Sequence, residues 1–296
     1  MTQTASDAEL LHETLLLGIS KTFALKLTPY SRRLFEFVFG KAIRYGAQII
    51  LGLDRAIGAE GLAAGARWLL PYFTKSHSVR GAEYIPASGP FIIAANHPGS
   101  IDAVVIAAHS TRDDIKFIIG DVDFLRHMPN ARKQFLFAPP KSDASGRMWI
   151  VRESLRHLQS GGGMILFPLG DIEPDPEFMP HADSEFHRWS RSLEVFLKRV
   201  PDLKVVITIV SGVIAPSAMK NPFTRFRKSR ANRQRLAFIY QVTRQILRGK
   251  QLYDLAPRAT FGEIVQGVDH ADMLADIEHA AQRVLAQHLE WQADEA

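Results

Sequence analysis

The stretch FIIAANHPGSID, residues 91–102, indicates the fold more clearly than any other part of the sequence. It begins with five apolar residues in a row, which is typical of a strand that is buried on both faces. Pro98 and Gly99 then favour a turn, and Ser100 is a residue type that often caps a helix. The stretch therefore predicts a strand followed directly by a helix.

Six further short apolar runs have the same character from residue 76 onward. They are bounded by Gly and Pro, and helical patterns lie between several of them. The runs are SVRG from residue 78, KFIIG from 116, FLFA from 135, GMILFP from 163, VVITIVSG from 205 and ATFGEIV from 259. Apolar strands that alternate with helices predict an α/β fold with a mostly parallel central sheet flanked by helices.

The sequence predicts three parts. Residues 1–75 have helical patterns separated at Pro29 and form a candidate membrane-associating segment, residues 76–268 hold the α/β domain, and residues 269–296 form a closing helix that packs on it. The 296 residues contain no cysteine, which excludes disulfides and thiolate nucleophiles. Neither a secretory signal nor a run of eighteen apolar residues is visible, so we expect a cytoplasmic protein that lies on the inner face of the membrane.

Positive charge is concentrated in two segments, although the formal net charge is only +5. Residues 21–44 contain six basic residues and one acidic residue, and residues 220–235 contain seven basic residues and no acidic one. This pattern predicts an anionic partner surface, either a membrane or a polyanionic ligand. The aromatic run around Phe37 fits a helix at a lipid interface and fits an ordinary core-packing helix equally well.

Ligands of open parallel sheets bind beyond the carboxyl ends of the strands, where Asn96 and His97 are predicted to lie. Asp102 would then fall in the first turn of the next helix. A carboxylate there can accept a hydrogen bond from one imidazole nitrogen and raise the basicity of the other, as a general base requires. The same spacing recurs at His109 and Asp114, so only the strand-end context favours His97.

The segment NHPGSID resembles the NHxxxxD signature of the phospholipid/glycerol acyltransferases, the family of 1-acylglycerol-3-phosphate acyltransferases. Residues 161–170, GGGMILFPLG, resemble the GGxxxxFPEGTRS block of that family. Between them, FLFAPP stands where a second block is expected, and the last two strand-like runs resemble later family strands. The resemblance covers residues 76–268.

The resemblance implies a peripheral enzyme of lipid metabolism that moves a fatty acyl group to a hydroxyl of a glycerolipid or lysolipid. The donor would be acyl-CoA or acyl carrier protein, and no bound cofactor or metal is implied. His97 would be the general base and Asp102 its support. The residues expected to contact the acceptor are Asn96, Ser100, Leu169, Gly170 and Asp171.

Two departures from the family pattern affect the acceptor site. The family sequence Glu-Gly-Thr-Arg-Ser is replaced by residues 169–173, LGDIE, and the arginine of the second block is replaced by proline. Such arginines would hold the phosphate of the acceptor. In addition, the segment 171–185 contains several acidic residues but no lysine or arginine. We therefore expect either that Lys141, Arg147 or Arg152 binds the phosphate, or that the acceptor is not a simple lysophosphatidate.

Three other functions remain open at the level of sequence. A metal-dependent hydrolase could use His97, Asp102, His181 and Asp183, but the sequence has no HExxH motif. A nucleic-acid binder would rest on the single basic run at 220–235, so we expect no nucleic-acid partner. A non-catalytic lipid-binding relative would keep the fold without the acceptor site.

Overall fold

The computed structural model describes residues 2–22, 26–120, 122–139, 142–267 and 272–294. Within these ranges a seven-stranded sheet has the spatial order β1-β7-β6-β2-β5-β3-β4. The strands are β1 Ser78–Arg80, β2 Phe91–Ala95, β3 Ile115–Gly120, β4 Phe135–Ala138, β5 Gly163–Leu166, β6 Lys204–Ser211 and β7 Arg258–Gln266. Each predicted apolar run therefore forms a strand.

The sheet is mostly parallel, as predicted. In the part of the chain that the structure describes, β6 and β7 pair antiparallel and the other strand pairs are parallel. The central strand β2 lies between β5 and β6, with Phe91 opposite both Gly163 and Lys204. The carboxyl ends of these three strands consequently meet at one edge of the sheet, and His97 lies there in the loop that follows β2.

Helices cover both faces of the sheet. They are α1 Thr2–Thr22, α2 Pro29–Glu60, α3 Leu62–Leu69, α4 Ser100–Ala108, α5 Ala144–Gln159, α6 Ser192–Arg199, α7 Pro216–Met219, α8 Arg230–Arg248 and α9 Met273–Asp294. Pro29 occupies the first position of α2 after the capping residue Thr28, so the predicted break lies between α1 and α2. Gly61, with φ of +88°, ends α2, because only glycine adopts that backbone conformation without strain.

The side chains of β2 alternate between two apolar cores. Phe91, Ile93 and Ala95 belong to the core that contains residues of α3, α4 and α8, whereas Ile92 and Ala94 belong to the core that contains residues of α5, α6 and α9. All five side chains are fully buried. This two-sided burial explains why the strand has an uninterrupted apolar sequence.

The aromatic part of α2 is divided between the interior and the surface. Phe35 is buried and packs near Leu16 and Ile43 in a small cluster between α1 and α2. Phe37 is 88% exposed, so this helix packs inward and also presents an apolar side chain to solvent. None of the helices in the described ranges has the long apolar window that a membrane span requires.

Candidate active site

His97 and Asp102 are brought together by the turn between β2 and α4. The Nδ1–H group of His97 donates to Oδ2 of Asp102 over 2.9 Å. The same carboxylate accepts the backbone N–H groups of Gly99 at 2.9 Å and Ala103 at 2.6 Å. Gly99, rather than the expected Ser100, is the residue that caps α4, and Asp102 supplies the capping bond from within the first turn. The buried carboxylate is thus held by the backbone and in turn orients the imidazole.

The surroundings of His97 raise its pKa. Burial by itself lowers the pKa of His97, but the charge and the hydrogen bond of Asp102 outweigh that effect. A negative charge on Glu173 would raise the pKa of His97 further, and the guanidinium of Arg235 lowers it. Because Nδ1 is bonded to Asp102, Nε2 is the nitrogen that can accept a proton from a bound ligand.

His97 lies in the wall of an apolar cavity of about 610 Å³. Side chains of α1, α2, α4, α8 and β3 form most of the wall, and the ring of Phe167 packs on the His97 ring with 4.3 Å between centroids. Only 23% of the His97 side chain is exposed, and Asp102 is completely buried. A cavity of this size with few polar groups suits a ligand that has a long apolar part.

Two of the predicted acceptor residues line this cavity together with His97. Ser100 is exposed at the start of α4, and Gly170 follows the end of β5. Gly170 has φ of +64°, and a Cβ atom at this position would meet no atom within 4 Å. The backbone of residue 170 therefore borders open space at the cavity wall.

Other predicted site residues lie elsewhere. The side-chain amide of Asn96 forms two hydrogen bonds with the backbone of Val210. Its Nδ2 group donates to the oxygen of Val210 at 2.9 Å, and its Oδ1 atom accepts from the N–H of Val210 at 2.7 Å. Leu169 packs against the core on the opposite face of the sheet. Arg147 and Arg152 are exposed on α5 and do not line the cavity. Lys141 lies outside the described residues.

The acidic segment after Gly170 is not the exposed negative rim that the sequence suggests. Glu173 and Asp175 are completely buried. Burial raises the pKa of Glu173 to about 8 and the pKa of Asp175 to about 6. Three other carboxylates of this segment form ion pairs with arginines. Asp171 pairs with Arg235, Glu177 with Arg258, and Glu185 with both Arg188 and Arg230. Most of the negative charge expected beside the site is therefore neutralised.

Sequence reasoning missed the contribution of α8 to the site. Gln234 is buried, and its Nε2 group donates to the backbone oxygens of Pro98 at 2.7 Å and Glu173 at 2.8 Å. Arg230 donates to the oxygen of Ile172 at 2.9 Å and to Oε1 of Gln234 at 2.9 Å. The detectable signal was the spacing of Gln234, Gln241 and Gln245, which places three amides along the apolar side of one helix.

Arg235 is the second contribution of α8. Its Nη2 group donates to Oδ1 of Asp171 over 2.6 Å, and its charge lowers the pKa of His97.

In the described part of the chain, no three His, Asp or Glu side chains cluster to form a metal site, and this includes His181 and Asp183.

One of three comparisons with known proteins, that with family models, agrees with the motif resemblance. A family model described as Acyltransferase matches residues 76–207. The crystal structure of the 1-acyl-sn-glycerophosphate acyltransferase PlsC from Thermotoga maritima is 16% identical in sequence, with 96% of this chain and 90% of that chain covered and a TM-score of 0.46. The comparison with curated proteins found no match. The match shows that residues 76–207 are similar to the Acyltransferase family.

Proposed function

We propose that the protein transfers a fatty acyl group from acyl-CoA or acyl carrier protein to a hydroxyl of a glycerolipid or lysolipid. The observation that carries this proposal is the position of the His97–Asp102 pair in the wall of the apolar cavity. An alkyl chain in the cavity has an apolar environment, and the ester or thioester end of that chain would lie beside a base.

His97 and Asp102 have distinct parts in this reaction. Nε2 of His97 accepts the hydroxyl proton as the acceptor oxygen attacks the thioester carbonyl. The carbon–sulfur bond then breaks, and the imidazolium returns the proton to the leaving thiolate, which gives an ester and a free thiol. Asp102 keeps the proton on Nδ1 and stabilises the transient imidazolium. The chain contains no cysteine, so no thiol of the enzyme takes part.

The N-terminal helices contribute to the acyl site as well as to the surface. Leu15 of α1 and Ile43 of α2 line the cavity, and so does Ile246 of α8. The cavity therefore lies between the N-terminal helices and the α/β domain. Its position supports a direct part for α1 and α2 in binding the acyl chain.

The same N-terminal helices supply a surface for a membrane. We define the α2 face as Tyr30, Leu34, Phe37, Lys41 and Arg44, which follow one another at helical spacing and are all exposed. Exposed aromatic and aliphatic side chains beside basic residues favour binding to an anionic leaflet. The protein would then work as a peripheral protein on the cytoplasmic side of the membrane, where its donor and acceptor meet.

Acyl transfer can be tested with purified protein, radiolabelled acyl-CoA or acyl carrier protein, and a panel of lysolipids separated by chromatography. We expect a labelled diacyl product with at least one acceptor. Gly46→Phe should abolish most of this activity, because Gly46 lines the cavity. Gln48→Phe, on the exposed side of the same helix, is the matched control. Lysolipid binding without transfer from either donor would contradict the proposal and identify a non-catalytic lipid-binding relative.

A further inference from the structure

We propose that Arg235 of α8 binds the phosphate group of the lipid acceptor and that Asp171 occupies Arg235 while no acceptor is bound. This inference rests on the proposed function, because it names the class of acceptor for the same site. It also assigns phosphate recognition to a helix that lies outside the segment matched by the family model.

The ion pair between Arg235 and Asp171 lies beside a residue of the cavity wall. Asp171 directly follows Gly170, which lines the cavity together with His97. Arg235 is near enough to His97 for its charge to lower the pKa of the imidazole. The side chains of Arg235 and Asp171 are 42% and 44% exposed, so both are accessible to a ligand from solvent.

Three other arginines are placed differently. Arg230 donates to the backbone of Ile172, to Gln234 and to Glu185, so its guanidinium holds the loop together. Arg147 and Arg152 are exposed on α5, away from the cavity wall. Of these four arginines, Arg235 is the one that combines an exposed guanidinium with proximity to His97.

A phosphate group can displace Asp171 from Arg235. A half-exposed ion pair contributes little to stability, so a competing anion can replace its carboxylate easily. Guanidinium forms two parallel hydrogen bonds with a phosphate, and a phosphate monoester carries more charge than a carboxylate. Nη1 of Arg235 also donates to Oδ1 of Asn232 at 3.0 Å, which restricts the orientation of the guanidinium.

The test compares lysophosphatidate with a monoacylglycerol of the same acyl chain as acceptors. Arg235→Ala should lower the ratio of kcat/KM for lysophosphatidate to kcat/KM for monoacylglycerol by about ten-fold or more, mainly through KM. Arg235→Lys should recover only part of the ratio, because lysine cannot bind bidentately. Asp171→Asn should change the ratio in the opposite direction. If the substitution also alters His97, both kcat/KM values change by the same factor, and this effect cancels in the ratio.

Arg283→Ala is the matched control, because Arg283 forms a comparable surface ion pair with Glu263 away from the cavity. It should leave the ratio unchanged. An unchanged ratio in Arg235→Ala would overturn the inference. Equilibrium binding of short-chain lysophosphatidate gives a second measurement that does not need turnover. If the wild type binds it and Arg235→Ala does not, yet no acyl transfer occurs, the proposed function fails and the phosphate site stands. Equal binding by both proteins refutes the site.

Discussion

His97 shares its surroundings with a second buried carboxyl group, that of Glu173. The backbone N–H of Glu173 donates to the oxygen of His97 at 2.9 Å, and Trp189 Nε1 donates to Oε2 of Glu173 at 3.2 Å. Oε1 of Glu173 is buried and has no hydrogen-bond partner among the described residues. Because burial raises the pKa of Glu173 to about 8, this side chain is mostly protonated at neutral pH.

The protonation of Glu173 predicts a pH-dependent stability. The pKa of Glu173 rises from 4.5 to about 8 on folding, so the native state binds more protons than the unfolded state between these values. The free energy of unfolding therefore falls as the pH rises through this range, by up to about 1.4 kcal/mol per pH unit. Glu173→Gln removes this dependence, since glutamine has no proton to lose.

Urea denaturation of wild type and Glu173→Gln at pH 6, 7 and 8 measures this effect. We expect the variant to gain stability relative to wild type as the pH rises. The window starts at pH 6 because the pKa of Asp175, about 6, adds a similar slope at lower pH. The contributions of other titrating groups largely cancel in the comparison of the two proteins. A difference that does not vary with pH would show that Glu173 is ionised in the folded protein.

For pairs of interacting residues, the sequence was most informative where the two partners are close in the chain. His97 and Asp102 are five positions apart, and one turn is sufficient to join them. Arg235 and Asp171 are 64 positions apart and meet only because α8 packs over the loop after β5. Local spacing could not show that contact, which is why the sequence pointed to Arg147 and Arg152 instead.

Among the elements, α8 connects several loops through buried glutamine side chains. Gln234 holds the loops after β2 and β5, as described above. Gln241 accepts from the N–H of Ala215 at 2.8 Å and donates to the oxygen of Val213 at 3.1 Å. Gln245 donates to the oxygen of Phe73 at 3.3 Å. The helix therefore positions the loop that contains His97 relative to the loop that follows β5.

Gln234→Leu should separate this positioning role from stability. The substitution leaves two buried carbonyl groups without a donor, which should lower the free energy of unfolding by about 1–3 kcal/mol. Gln241→Leu removes similar bonds from a loop that does not contain His97 and is the matched control. We expect Gln234→Leu to lower kcat more than Gln241→Leu at a similar loss of stability, while KM changes less. Equal kcat values in the two variants would contradict a role in positioning His97.

The strands were predictable because their apolar runs are short, uninterrupted and bounded by Gly and Pro. The buried face of α8 was not predictable, because the seven basic residues at 220–235, of which three lie in α8, dominate the composition of that segment. Three glutamines inside an apolar pattern are easily taken for solvent-exposed residues. Their burial depends on backbone groups supplied by loops that are distant in the sequence.

For the whole molecule, the exposed charges predict salt-sensitive binding to anionic membranes. Lys21 pairs with Asp123 and Arg32 with Glu13, so only part of the basic segment at 21–44 is available to lipid. Arg230 likewise holds the site loop. The sequence could locate the concentration of charge but could not show which side chains are already paired.

Co-sedimentation with liposomes that contain anionic lipid tests this prediction. Binding should be strong at low ionic strength and should weaken as salt shortens the screening length to about 8–10 Å. Each basic residue near the surface contributes about 1 kcal/mol, so Lys41→Ser with Arg44→Ser on the α2 face should weaken binding at least ten-fold. Phe37→Ser should reduce the binding that persists in salt. Arg283→Ala is the control, and binding that neither salt nor these variants change would contradict membrane attachment through this face.

The role of His97 as the general base is tested by the rate of acyl transfer by His97→Ala beside that of His109→Ala. Both histidines precede an aspartate by five positions, but only His97 lines the cavity. We expect His97→Ala to lose about 10²–10⁴-fold in kcat, Asp102→Asn to lose less, and His109→Ala to stay within about two-fold of wild type. A His97→Ala protein that is folded and transfers acyl groups at the wild-type rate would contradict the account.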